Sequence, residues 1–360
     1  MLAYWLLFLL PAFQAVSKLR PSPLNFSAYK WSAQWRIVFV LLVSMIGLRH
    51  QVGGDWGHYL GNLEALENTT FFEALAGTKG DPANSALNWI ANQLGLGIYL
   101  VNFVYAIFFT WGLLLFCRNQ PRPWLALTVA VPYLITVGAM GYSRQGLAIG
   151  LIMMGFVFLE NKKVLQFVLC VALAATFHKS AVIVVPLAAL ASTERRLLML
   201  FWISLTAALL FALLLQEHVD ALLAGYIIDQ YESTGAAIRI YMNALPAALF
   251  LILRKRFQLV PAIRNFWTWM AWGALAFVAL LYISPSSTAV DRLALYWIPL
   301  QLFVWSRIPN AMGRSGPTKV VWVYAVVAYS AAVYFVWLSF STHSYLWLPY
   351  QFYPWVWLWN

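Results

Sequence analysis

Residues 144–160 and 164–177 are two apolar runs joined by a turn of only three residues, Asn161-Lys162-Lys163. Each is about long enough for a helix to cross bilayer hydrocarbon. In that medium a helix satisfies all of its backbone hydrogen bonds internally. The pattern recurs along the chain at about 2–16, 34–49, 97–117, 123–139, 180–192, 197–215, 239–253, 265–283, 291–306 and 319–339. These runs predict an all-α polytopic membrane protein of about 12 transmembrane helices, with residues 1–360 forming a single integral membrane domain. Strict period-2 alternation over ten-residue segments is missing, which argues against a transmembrane β-barrel. Composition agrees: 62% of residues are hydrophobic and only 10% are charged, far from the balance of a soluble domain. Residues 1–16 lack a basic flank and a small-residue cleavage site, so they read as a retained first span. Cys117 and Cys170 fall inside apolar runs and read as small packing residues rather than a disulfide or metal pair.

The net charge of +11 does not point to nucleic acid, because no basic run sits in a soluble domain. It follows the loops instead. One alternating set of loops carries Lys18, Arg20 and Lys30; Arg118 and Arg122; Lys162 and Lys163; Arg195 and Arg196; Arg254, Lys255, Arg256 and Arg264; and Arg307, Arg314 and Lys319. By the positive-inside rule this set faces the cytoplasm and both termini lie outside. The other set holds nearly every acid, whereas Glu160 and Glu194 fall on the basic side.

Two outer loops are long, about 50–95 and 216–238. In the first, Leu87, Ile90, Ala91 and Leu94 recur at helical spacing, which predicts a short amphipathic helix on the membrane surface. Asp81 is placed to cap that helix and Pro82 to open it. Residues 216–226 predict a second amphipathic helix. The tail, 341–360, carries Trp347, Trp355, Trp357 and Trp359 among Tyr and Phe, a composition suited to an interfacial aromatic belt.

Arg144, Lys179, Arg239 and Arg292 fall at or just before the outer starts of spans, with Arg49 at the outer end of another. Helix N-termini carry partial positive charge and favour anions. Cations placed there are unfavourable unless something negative sits among them. Each one alone also suits a snorkelling anchor, Asp291 could pair with Arg292 and Asp55 with Arg49, and Lys79 reads as a solvated charge. Arginine forks match phosphate oxygens, so the anion expected at this mouth is a lipid diphosphate headgroup. Activating an attacking hydroxyl needs a general base, and the outer candidates are Asp55, His178 and Asp291. His50 and His58 flank Asp55 without a further ligand pattern, so no metal site and no cofactor are expected.

The segments RHQVGGDWGHYLGNLEAL (49–66), DPANSALNWIANQLG (81–95), GYSRQGLAIG (141–150), FHKSAVIVVPL (177–187), GAAIRIYMNALPAALF (235–250) and DRLALYWIPLQ (291–301) resemble, in that order, the EpsG family of bacterial exopolysaccharide polymerases. That family is similar to the Wzy-type O-antigen polymerases. The resemblance implies a GT-C-like glycosyltransferase of the bacterial inner membrane, its active site facing the periplasm. Its substrates would be polyprenyl-diphosphate-linked oligosaccharide units serving as donor and acceptor. Its partners would be membrane lipids and a chain-length regulator protein, with no nucleic acid. Carried over by motif, the site residues are Arg49, Asp55, Tyr59, Arg144, Gln145, His178, Arg239, Asp291 and Arg292, with Lys179 beside them. Arg144, Arg239 and Arg292 would hold the diphosphate, and Asp55 or His178 would take the acceptor proton.

Three other readings share parts of this pattern. A flippase for the same lipid would need a polar path through the membrane centre and pseudo-symmetric halves, and neither is visible. An O-antigen ligase shares the arginine logic. An acyltransferase using His178 would draw on a cytoplasmic donor, on the wrong side for this residue.

Overall fold

The computed structural model describes residues 1–19, 31–77, 81–187, 235–313 and 315–359. The span expected at 197–215, the helix expected at 216–226 and Lys79 lie outside the described residues, as does the end of the span expected at 180–192. The described residues form helices joined by short turns, with a single β-bridge between Arg49 and Phe352. Five helices are long and apolar enough to cross a membrane: α6 (Gly97–Arg118), α8 (Ser143–Glu160), α10 (Ala236–Leu253), α11 (Pro261–Ile283) and α14 (Gly316–Phe340). Shorter apolar helices are α1 (Leu2–Ser17), α2 (Ala33–Gly47), α9 (Val164–Phe177), and α7 (Pro123–Ala130), which continues as wide π-helical turns over Val131–Ala139. The chain is a polytopic membrane protein.

Helix α8 forms the centre, packed between α6 and α9. Gly112 on α6 and Gly150 on α8 face each other so closely that a Cβ on Gly150 would meet the backbone of Phe109. Small residues at a helix crossing let two backbones approach, which gives dispersion contact where lipid removes any hydrophobic drive. The other half of the bundle, α10, α11 and α13 (Pro299–Met312), joins α8 through aromatic packing. Trp267 stacks on Phe303 at 3.9 Å between ring centroids, and Phe156 meets Trp267 edge-on.

Among the described residues the two loop sets gather at opposite ends. At one end Asn119 donates to Glu160 (2.8 Å), Trp267 donates to the other carboxylate oxygen (2.8 Å), Arg122 reaches the Leu19 carbonyl and Asn310, and Arg307 reaches Gln120. At the other end lie Arg49, Asp81, Arg144, His178 and Arg239. The partition of charge in the sequence is therefore a partition between the ends of the bundle.

Several expectations need correction. The run 291–306 is not one helix. It breaks into α12 (Ser287–Ala294), a 3-10 turn at Leu295–Trp297, and α13, which opens at Pro299 because proline lacks the N–H that would continue the turn before it. Residues 179–184 form a 3-10 helix rather than the first turns of a span. The helix expected over 81–95 exists as α5 (Pro82–Gln93), with proline in its first turn, but Asp81 does not cap it. The apolar face of α5 is split: Ala91 is buried and Leu87 packs against the core, Ile90 is 42% and Leu94 is 61% exposed, and Asn84 and Asn88 are 6% and 4% exposed. Two shorter helices, α3 (Trp56–Glu64) and α4 (Phe71–Ala76), complete this outer layer.

The tail is only partly an interfacial belt. Trp355 and Trp357, on α15 (Tyr353–Trp359), are exposed, but Trp347 is buried. Its indole donates to the Thr136 carbonyl (2.7 Å), and its own carbonyl accepts from the Tyr4 hydroxyl (2.7 Å). The chain around it straps the 48–53 loop: Gly53 donates to Leu346, His50 to Gln351, and Tyr353 to Leu48. Gly141 has no room for a Cβ, which would lie 2.5 Å from the Trp347 ring.

Candidate active site

A cavity of about 840 Å³ opens at the end of the bundle where α8 begins, a size typical of sites that enclose a small organic ligand. Helix α8 contributes Arg144 as its second residue. The break after α9 contributes His178, Lys179 and Ser180, and the last turn of α12 contributes Arg292. Helices α3 and α5 close the opposite wall with Asn62, Asp81, Asn84, Ser85 and Asn88. Val182, Ile183 and Pro186 line an apolar flank.

Asp81 organises the cationic side. One carboxylate oxygen accepts from Arg144 Nη1 at 2.9 Å and the other from the backbone N–H of Lys179 at 3.0 Å. A single acid thus ties α5, α8 and the 179–184 turn together, and its charge is already matched by Arg144. Tyr59 lies beneath, buried, with its ring 5.8 Å from the Arg144 guanidinium and its hydroxyl accepting from the Arg144 backbone N–H. Gln145 is also buried, and its amide donates to the Arg292 carbonyl (2.5 Å), fixing the end of α12 against α8. Both are positioning residues below the cavity surface.

Arg292 differs from the other arginines of this end. Its guanidinium lies 5.9 Å from the Tyr142 ring and makes no hydrogen bond to any described residue. Expected at the start of a span, it sits instead in the last turn of α12, where the helix dipole favours a cation. Arg144, Lys179 and Arg292 together present positive charge to one cavity, with Asp81 the single carboxylate among its described lining residues.

His178 breaks the helix with extended backbone (φ −152°, ψ 99°) and places its ring at the cavity wall. Nδ1 lies 2.7 Å from the Ser180 hydroxyl and 3.1 Å from that of Tyr296, while Nε2 has no partner among the described residues. Burial, reinforced by the fields of Arg144, Arg292 and Lys179, lowers its pKa to about 3. The imidazole is therefore neutral across the physiological range.

The remaining candidates fall elsewhere. Asp55 precedes α3, half-buried and outside the cavity lining. Burial raises its carboxyl above the usual range, against the opposing pull of Arg292 and Arg144. Arg49 does not join the ring: it is 1% exposed, and it donates to the Val52 and Ile46 carbonyls, Asn102 Oδ1 and Ser143 Oγ, tying α2 to α6 and α8. Those acceptors rather than Asp55 hold its guanidinium, because a fully buried fork needs a partner for each of its donors. Arg239 and Asp291 form a two-pronged ion pair at 2.7 and 2.6 Å. Asp291 is thus partnered by Arg239, not by its neighbour Arg292, and both of its oxygens are occupied, so it is no free base. Neither residue lines the cavity.

The sequence reading missed Asp81 as a site residue, together with Ser180, Tyr296 and the amides of α5. The signal for α5 was present in the spacing 81, 84, 85, 88, a polar stripe at helical period.

Among curated proteins, and among solved structures, nothing matches this chain. The family model described as the EpsG family matches residues 32–352, nearly the whole chain and every segment that lines the cavity, and the protein belongs to the EpsG family.

Proposed function

We propose that this protein polymerises polysaccharide by joining polyprenyl-diphosphate-linked oligosaccharide units at the outer face of the bacterial inner membrane. Family membership supports the coarse part of this reading, a membrane protein of exopolysaccharide polymerisation. The observation that carries the finer part is the convergence of Arg144, Lys179 and Arg292 on one cavity beside an apolar flank. A diphosphate on an isoprenoid chain carries both matching chemistries.

In the reaction, a hydroxyl of the acceptor unit attacks the anomeric carbon of the donor chain. A new C–O bond forms, the C–O bond to the diphosphate breaks, and the electron pair leaves with polyprenyl diphosphate. Arg144, Lys179 and Arg292 stabilise that charge as it develops. The acceptor proton passes to His178 Nε2, which is neutral and unpartnered among the described residues. Arrival of the diphosphate offsets the cationic fields that add to burial in holding the imidazole pKa down. Asp55 stands outside the cavity lining and assists through Tyr59.

The test is reconstitution of the protein in vesicles with a single synthetic lipid-linked unit. A ladder of products with release of polyprenyl diphosphate supports the reading. Single transfer to a different acceptor would mark a ligase, and movement of lipid between leaflets without bond formation a flippase.

A further inference from the structure

Helix α5 turns a polar stripe into the protein alongside part of its apolar face. Asp81, Asn84, Ser85 and Asn88 recur at i, i+3, i+4 and i+7, and all four line the cavity. Asn84 and Asn88 are nearly inaccessible, while apolar Ile90 and Leu94 are left outside. Burying amides in place of available apolar side chains is costly unless something hydrogen-bonds them. The protein uses only half of this capacity. Asn88 Nδ2 donates to the Asn84 backbone carbonyl and to Asn84 Oδ1, which also accepts from the Tyr105 hydroxyl. That leaves the Asn84 amide N–H groups and the Asn88 carbonyl oxygen without partners among the described residues. Asn62 on α3, lining the same wall, makes no side-chain hydrogen bond to any described residue, and neither does Ser85.

We propose that the wall formed by Asn62, Asn84, Ser85 and Asn88 is a carbohydrate subsite that takes an uncharged sugar ring next to the diphosphate. Amides and hydroxyls both donate and accept, as sugar hydroxyls do, so the two sets pair without either being left unsatisfied. These four side chains bear no charge, and the ionisable groups that line the cavity beside them are His58 and Asp81. A carboxylated sugar placed there would lose hydration without gaining a counter-ion, whereas a neutral ring exchanges water for amide partners at little cost. Asp81 marks the boundary: its carboxylate is held by Arg144 and the Lys179 amide, and the cationic part of the cavity begins there. The assignment rests on the lipid-diphosphate reading of the cavity and adds the chemistry of the group attached to that diphosphate.

The full-length protein in lipid nanodiscs is titrated with three probes: bare undecaprenyl diphosphate, the same lipid carrying one N-acetylglucosamine, and the same lipid carrying one glucuronic acid. The expected result is about ten-fold tighter binding of the N-acetylglucosamine lipid than of the bare lipid, with a smaller gain for the glucuronic acid lipid. In Asn62→Ala and in the double variant Asn62→Ala/Ser85→Ala, which break no hydrogen bond within the described protein, the sugar-dependent gain should shrink about five-fold or more while affinity for the bare lipid is unchanged. An equal gain in variant and wild type overturns the subsite. So does a wild type that binds bare lipid and gains nothing from the sugar, and an equal gain from the glucuronic acid lipid overturns the claim that the ring is uncharged. If no probe binds at all, the diphosphate reading falls first and the subsite with it, an outcome distinct from the others.

Discussion

Arg239 and Asp291 meet as a fork on a fork, Nε to Oδ1 at 2.7 Å and Nη2 to Oδ2 at 2.6 Å, on helices α10 and α12 that are 52 positions apart in the chain. The pair fixes α12, and with it Arg292, against the body of the protein. Removing one partner of a buried ion pair leaves the other uncompensated, at a cost of about 3–5 kcal/mol. Asp291→Ala and Arg239→Ala are each expected to lower the thermal unfolding midpoint sharply in detergent. The double variant Asp291→Leu/Arg239→Met should recover a large part of the loss. Additive losses in the double variant would count against the pairing.

Arg292→Ala is the sharper test of substrate binding, because the guanidinium makes no hydrogen bond to a described residue and its removal breaks no fold contact beyond the Tyr142 ring. Affinity for lipid diphosphate is expected to fall roughly 10- to 100-fold, polymer to disappear from cells, and single lipid-linked units to accumulate. Arg144→Ala should give the same product profile together with lower stability, since it also removes the ion-pair partner of Asp81. Polymer of normal length in both variants would refute the site.

The lowered pKa of His178 makes a signed prediction about pH. A base whose folded pKa lies near 3 and whose unfolded pKa lies near 6.5 binds its proton first in the unfolded state. Above about pH 6.5 it contributes nothing to pH dependence. Between about 6.5 and 3, stability falls as pH falls, by up to about 1.4 kcal/mol per pH unit. Asp55, with its carboxyl raised by burial, works in the opposite sense, its contribution falling as pH rises through the carboxylate range. Melting curves of wild type and His178→Gln from pH 7 to 4 separate the two, and the variant should lose the acid-side slope. The same neutral imidazole predicts no inflection near pH 6.5 in kcat/KM, which reports the free protein.

Trp347 is expected to matter although it lies far along the chain from any cavity residue. Trp347→Ala would leave a void between Thr136, Gly141 and Tyr4 and cost about 3–5 kcal/mol. The loosened 341–353 strap should then become sensitive to limited proteolysis. Trp357→Ala, at an exposed position, is the control and should leave both stability and proteolysis unchanged.

How much of this was legible beforehand differs from residue to residue. Arg144, His178, Lys179 and Arg292 are in the cavity, as expected from cations and a histidine gathered at one end of the bundle. Arg49 and Arg239 carry the same charge at similar positions and do other work. A side chain's charge is visible in the chain, but its partner is not, and Asp291 chose Arg239 across 52 residues over the arginine beside it. Asp81 was read as a helix cap because capping is a local preference, and a long-range ion pair with Arg144 outweighed it.

From the chain alone came the membrane class, apolar runs that include the five long helices, the sorting of charges among the described residues and the motif order that matches the family. All of these follow from composition and short-range periodicity, which bilayer thickness and positive-inside sorting convert directly into topology. Tertiary structure decided which cations share a cavity, that Asp291 pairs with Arg239 rather than Arg292, and that α5 turns its amides inward. Each of those outcomes depends on the partner available across the bundle, and hydrogen-bond satisfaction among buried groups is settled only when the helices have packed.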